Sequence, residues 1–200
     1  MLDSFQNVLV LAAHADDGEL GLGGTISKMV EMGTKVTYVV FCSSQESVLT
    51  EATRVLGIKA DNLIRLDNQV RKLNYVRQEI LEWLIKFKNN NDFDLVFTPS
   101  SFDTHQDHSI IAQETLRAFK KTSIFGYELI WNNLNFHTNC FSILDQKHID
   151  RKVESVKYYA INGDKDYLSP DFITSLARTR GVQVGKIYAE AFEVVRLILK

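Results

Sequence analysis

Two short stretches of this 200-residue chain cluster side chains that could bind a metal ion or move a proton, and they hold three of its five histidines. The first is His14-Ala15-Asp16-Asp17-Gly18-Glu19, and the second is Asp103-Thr104-His105-Gln106-Asp107-His108. An imidazole and a carboxylate three residues apart can meet one ion, and mixed nitrogen and oxygen donors suit Zn²⁺ or a similar divalent cation. Each stretch follows a short apolar run, Val8 to Ala12 before the first and Leu95 to Phe97 before the second. A buried strand cannot cheaply hold several ionisable groups, so both sets are expected at strand ends, facing a crevice.

The elements that must position these groups alternate strand and helix patterns. Strands are read at Val8–Ala12, Val36–Phe41, Leu63–Leu66 and Leu95–Phe97; helices run from the Gly-rich turn to Gly33, over Glu51–Leu56, from about Tyr75 to Lys88, and over Ile110–Phe119. Beyond Ser123 the rhythm changes: strands at Phe125–Trp131 and Phe141–Leu144, a helix at His148–Tyr159, a polar loop at Asn162–Pro170, a helix near Phe172–Thr179 and a last strand at Ala191–Leu199. This pattern predicts an α/β fold in a single domain over residues 1–200: a Rossmann-like open sheet, mostly parallel, with helices on both faces. With the common strand order 3-2-1-4-5, strands one and four are neighbours, so the two stretches would face each other across one crevice.

Gly18, Gly21, Gly23 and Gly24 superficially suggest a dinucleotide loop, but Gly-x-Gly-x-x-Gly from Gly21 would need glycine where Ile26 stands. They are expected to allow a tight strand-to-helix passage and close packing under a metal, with an anion at the helix N-terminus left open.

At 45% hydrophobic and 24% charged residues the chain is ordinary globular material. A net charge of -2 without long basic runs argues against nucleic acid as the main partner. No apolar run reaches membrane-spanning length and no basic leader precedes one, so no membrane insertion and a cytoplasmic location are expected. Cys42 and Cys140, far apart and in apolar contexts, are expected to be packing residues.

His14 to Thr25 and His105-Gln106-Asp107-His108 resemble the two signatures of the LmbE-like/PIG-L zinc-dependent de-N-acetylases, which deacylate N-acylated amino sugars. A third match, Arg180-Gly181, Gly185 and Tyr188-Ala189-Glu190-Ala191-Phe192, is similar to a C-terminal segment of that family. The resemblance implies a metal held by His14, Asp17 and His108, with Zn²⁺ in place and Fe²⁺ or another divalent ion as alternatives. It also implies Asp16 as general base and a protonated His105 that donates a hydrogen bond to the oxyanion. Arg180, Tyr188 and Glu190 gain a role near the site or substrate only from it. Two departures stand out: Ala15 replaces a usual proline, and Gln45-Glu46-Ser47 offers none of the arginine often found before the second helix.

Other residues keep two readings. Asp107 either orients a histidine or is an acid opening its helix. Asp67, on the loop after strand three, either binds sugar hydroxyls or is solvated. Glu19 is expected to brace the following helix, His137 and His148 to be ordinary surface or structural residues, and Trp131 to pack or to stack on a sugar. The reading is a metal-dependent hydrolase that frees acetate and an amine from a small-molecule amino sugar or nucleotide sugar. A hydrolase of another bond, ester or phosphoester, and a catalytically silent sugar-binding homologue are the alternatives.

Overall fold

The computed structural model describes residues 2–43, 46–160 and 165–199. Seven strands form one sheet: β1 (Asn7–His14), β2 (Lys35–Cys42), β3 (Leu63–Arg65), β4 (Leu95–Pro99), β5 (Ser123–Tyr127), β6 (Cys140–Leu144) and β7 (Tyr188–Arg196), in the order β3-β2-β1-β4-β5-β7-β6. β1 pairs in parallel with both β2 and β4, whereas β7 is antiparallel to β5 and β6. The sheet is therefore parallel from β3 to β5, with an antiparallel edge. Helices α1 (Asp17–Glu31), α2 (Glu46–Val55), α3 (Arg77–Asn89), α4 (Gln106–Ala118), α5 (Gln146–Lys157) and α6 (Pro170–Val182) connect the strands.

Alternation along β1 explains the two layers. Val8, Val10 and Ala12 pack with Leu22, Ile26, Met29, Leu49, Val156 and Ile173, placing α1, α2, α5 and α6 on one face. Leu9, Leu11 and Ala13 pack with Ile80, Leu84 and Ile111, placing α3 and α4 on the other. A strand buried on both sides must be apolar at every position, as Val8 to Ala13 are.

Several expected boundaries move. The strand expected to run to Trp131 ends at Tyr127, because Asn132 and Asn133 both donate backbone N–H groups to the Leu129 carbonyl while the Asn133 side chain accepts from Leu129 N at 2.8 Å. The chain turns there rather than continuing the ladder. The helix expected near Phe172 starts at Pro170, capped by the Ser169 hydroxyl, which accepts from Phe172 N. Asn162 of the expected polar loop lies outside the described residues. Cys42 and Cys140 are free thiols. Among the described residues no helix is long and apolar enough to cross a membrane.

Candidate metal and active site

β1 delivers His14 at its carboxyl end, and the chain reverses at once into α1. The reversal places Asp16 at φ 91°, ψ −28°, a left-handed conformation that costs a non-glycine residue roughly 1–2 kcal/mol. The positive φ therefore falls on the aspartate and not on a glycine. The glycines serve approach instead: a Cβ on Gly18 would stand 2.3 Å from the Tyr38 hydroxyl, and one on Gly21 would stand 2.4 Å from the Tyr127 ring. Asp17 then folds back, its Oδ2 accepting the His14 backbone N–H at 2.7 Å. That contact turns the buried carboxylate toward the His14 ring.

β4 delivers the second set through the loop before α4. Asp103 organises it: Oδ1 accepts His105 N at 2.8 Å and Oδ2 lies 2.7 Å from His108 Nδ1. On the other side, Asp107 Oδ2 lies 2.9 Å from His14 Nε2 and accepts Arg71 N at 2.6 Å. Each of these two imidazoles thus has one nitrogen tied to a buried carboxylate, so that in the neutral ring that nitrogen carries the hydrogen and the other is free to ligate. Those free nitrogens, His14 Nδ1 and His108 Nε2, are 3.1 Å apart. Asp17 Oδ2 lies 3.6 Å from the first and 3.3 Å from the second.

A positive charge belongs among these three atoms, either a proton on His108 or a metal ion that displaces it. A tetrahedral ion with bonds of about 2.0–2.1 Å sets its donor atoms about 3.3–3.4 Å apart, the spacing this trio has. The residues present fit a divalent metal. The ligand-type atoms of His14, His105 and His108 also lie within 4.8 Å of one another, but His105 Nδ1 already accepts the Asp107 backbone N–H. The same field acts on His108 itself. Burial favours its neutral ring, yet the Asp17, Asp103 and Asp16 carboxylates outweigh burial and carry its pKa up to about 9.

Asp16 and His105 flank this point. Burial, then the Asp17 and Glu19 carboxylates, push the Asp16 carboxyl well above the usual range, against the opposing pull of Lys165 and His108. His105 shifts the other way: burial and the neighbouring His108 and His14 lower its pKa. Its Nδ1 accepts the Asp107 backbone N–H at 3.2 Å, which leaves Nε2–H as the ring's donor. These groups line a cavity of about 500 Å³. One wall is Trp131 stacked on Tyr167, with ring centroids 4.0 Å apart.

Residues 9–119 match the family described as PIG-L, GlcNAc-PI de-N-acetylase. The chain belongs to this PIG-L family. Over 165 residues, 76% of this chain and 89% of the relative, it is 25% identical to the "Uncharacterized deacetylase YaiS" of Escherichia coli (strain K12). It is similar in fold to an N,N'-diacetylchitobiose deacetylase of Pyrococcus horikoshii, with TM-score 0.75 and 19% identity, covering 97% of this chain and 85% of that one. GalB, the 4-carboxy-2-hydroxymuconate hydratase of Pseudomonas putida KT2440, is equally similar, with TM-score 0.76, 17% identity and 98% of each chain covered. The PIG-L fold thus also carries a hydratase, and the fold alone does not select the reaction.

In this PIG-L chain the remaining candidate residues lie elsewhere. Asp67 is exposed, its backbone bridged to Cys42, and lines a separate groove with Glu79 and Trp83. It is the later part of the same loop, at Val70 and Arg71, that reaches the cavity. Arg180 pairs with Glu128 behind α1, and Tyr188 packs beside Leu144, Ile149 and Ala177. Glu190 accepts Gly24 N at 3.0 Å, Thr25 N at 2.7 Å and Lys152 Nζ at 2.6 Å. Helix α1 breaks at Leu22, φ −148°, and Glu190 supplies acceptors for the N–H groups that the break exposes. None of the three lines the cavity: Tyr188 and Glu190 are on β7, three strands across the sheet from β1, and Arg180 is on α6. Asp103, Arg71, Tyr159 and Lys165, which line or organise the site, were not singled out by residue type. Asp103 alone had a signal, as the acid opening the second stretch. Gln45, in the segment without the family's arginine, lies outside the described residues.

Proposed function

We propose that this chain is a metal-dependent N-deacetylase that hydrolyses the N-acetyl group of an amino sugar or sugar conjugate to acetate and a free amine. The supporting observation is the convergence of His14 Nδ1, Asp17 Oδ2 and His108 Nε2 within 3.6 Å of one another, with both rings anchored on their far sides by carboxylates. That donor set is suited to Zn²⁺, with Fe²⁺ or another divalent ion as alternatives. The chemistry such an ion supplies when bound is polarisation of the amide carbonyl and a lowered pKa for the attacking water.

The chain's own groups do the rest. Asp16 accepts the proton from water as attack begins and returns it to the departing nitrogen, so one carboxylate serves as base and then acid. His105 donates from Nε2–H to the oxygen that gains negative charge, a role a neutral imidazole can fill. The Trp131–Tyr167 pair offers a flat apolar wall for a sugar ring.

The test is acetate release from a panel of N-acetylated sugars and nucleotide sugars, run with zinc-loaded, chelator-stripped and Asp16→Asn protein. Release from the loaded protein alone is expected, with Asp16→Asn losing most turnover while keeping its metal. Hydrolysis that survives both treatments sinks the proposal, as does ester or phosphoester cleavage without acetate release from any N-acetyl sugar.

A further inference from the structure

The cavity contains a cation that the proposed deacetylation does not use. Arg71 lies on the loop after β3 and lines the rim of the cavity that holds His14 and Asp16. Its backbone is at φ 63°, one of two non-glycine positive φ values in the described residues, the other being Asp16. That backbone is pinned: its N–H donates to Asp107, and its carbonyl accepts from Gln106 Nε2 at 2.9 Å. Both contacts would be available to glycine, which adopts this conformation without strain. The backbone alone therefore gives no reason for an arginine.

The side chain does. Arg54, Arg65, Arg77, Arg117, Arg151, Arg178, Arg180 and Arg196 each direct the guanidinium to a carboxylate, a carbonyl or a hydroxyl of the protein. Among the described residues Arg71 is the one arginine whose guanidinium has no such partner. The other rim cation, Lys165, is engaged, bonding Tyr167 and lying in the field of Asp16. The lining thus carries both signs, the Asp16 and Asp17 carboxylates and an Arg71 guanidinium that has no partner among the described residues. A substrate that is neutral at its acyl end and anionic at its far end matches this arrangement.

We propose that Arg71 binds the phosphate or carboxylate of an anionic N-acyl amino sugar, making such compounds the preferred substrate class. The inference rests on the deacetylase reading above. A guanidinium presents paired donors to either oxyanion, so the shared chemistry is bidentate oxyanion recognition.

The test compares zinc-loaded wild type, Arg71→Gln and Arg71→Gly on N-acetylglucosamine 1-phosphate, N-acetylmuramic acid, N-acetylglucosamine and N,N'-diacetylchitobiose. Arg71→Gly accepts the positive φ without strain and removes the whole side chain, whereas Arg71→Gln keeps a side chain and removes the charge. Wild type should prefer a charged substrate, and both variants should lower the anionic-to-neutral ratio of kcat/KM by about tenfold to a hundredfold, chiefly through KM. The phosphate and carboxylate arms tell which group is read. A wild type without preference for either charged sugar, or variants with an unchanged ratio, overturn the proposal while leaving the deacetylase reading intact. Calorimetric binding of glucosamine 1-phosphate against glucosamine gives a readout without turnover. If no sugar is hydrolysed the deacetylase reading falls, yet tighter binding of the phosphate that is lost in Arg71→Gln still supports the anion subsite. Equal binding of the two in wild type refutes it.

Discussion

Glu190→Gln should damage the fold and spare the chemistry. Glu190 is buried, and its carboxylate holds two backbone N–H groups at the α1 break together with the ammonium of Lys152, itself buried. The glutamine oxygen can retain one N–H, but Lys152 is left without its counter-charge. Breaking a buried ion pair from one side costs about 3–5 kcal/mol. At about 2–4 °C per kcal/mol for a chain of this length, Tm should fall by about 6–20 °C in a calorimetric or circular-dichroism melt. Lys152→Met alone should also destabilise, because it leaves the carboxylate unpaired, and the double variant should lose less than the two singles together. Zinc content and kcat of the folded Glu190→Gln protein should stay within a few fold of wild type. A variant that melts within about 2 °C of wild type yet loses its turnover would refute this structural role and return Glu190 to the chemistry.

Two further expectations follow from the site and its packing. His14→Ala should abolish tight zinc binding, whereas Asp103→Asn and Asp107→Asn should bind zinc about 10–100-fold more weakly, measured by competition with a chromophoric chelator; wild-type affinity in the two aspartate variants would contradict their hold on the rings. Gly21→Ala places a Cβ 2.4 Å from Tyr127 Cδ2, and that ring is fixed by its hydroxyl donating to the Leu11 carbonyl at 3.1 Å. Overpacking of this kind should lower stability by about 1–3 kcal/mol, and an unchanged urea midpoint would count against it.

What could be read from the chain and what could not divides along a physical line. The α/β order, the helices on both faces and the adjacency of β1 and β4 follow from local periodicity and the crossover preference of parallel strands, so the meeting of His14 with His108 was foreseeable. The fate of Tyr188 and Glu190 depends on β7 inserting in antiparallel fashion between β5 and β6, and its pairing with β5 spans more than sixty residues of sequence and leaves no local trace. Arg71 was equally hidden, because nothing in Gln69-Val70-Arg71-Lys72 marks a left-handed residue in the way Asn-Gly would.

The position of Asp107 binds these levels together. Its Oδ2 contacts both His14 Nε2 and the Arg71 backbone N–H, and its Oδ1 takes Leu73 N at 3.3 Å. One buried carboxylate therefore sets the orientation of a metal-site imidazole and the conformation of the loop that carries the rim guanidinium. A substitution at 107 should disturb metal affinity and anionic-substrate preference together, whereas one at Asp103, which touches His105 and His108 but not the β3 loop, should weaken the metal and leave that preference unchanged. That contrast separates a site built from two independent parts from one in which the same carboxylate positions the ion and the substrate's charge.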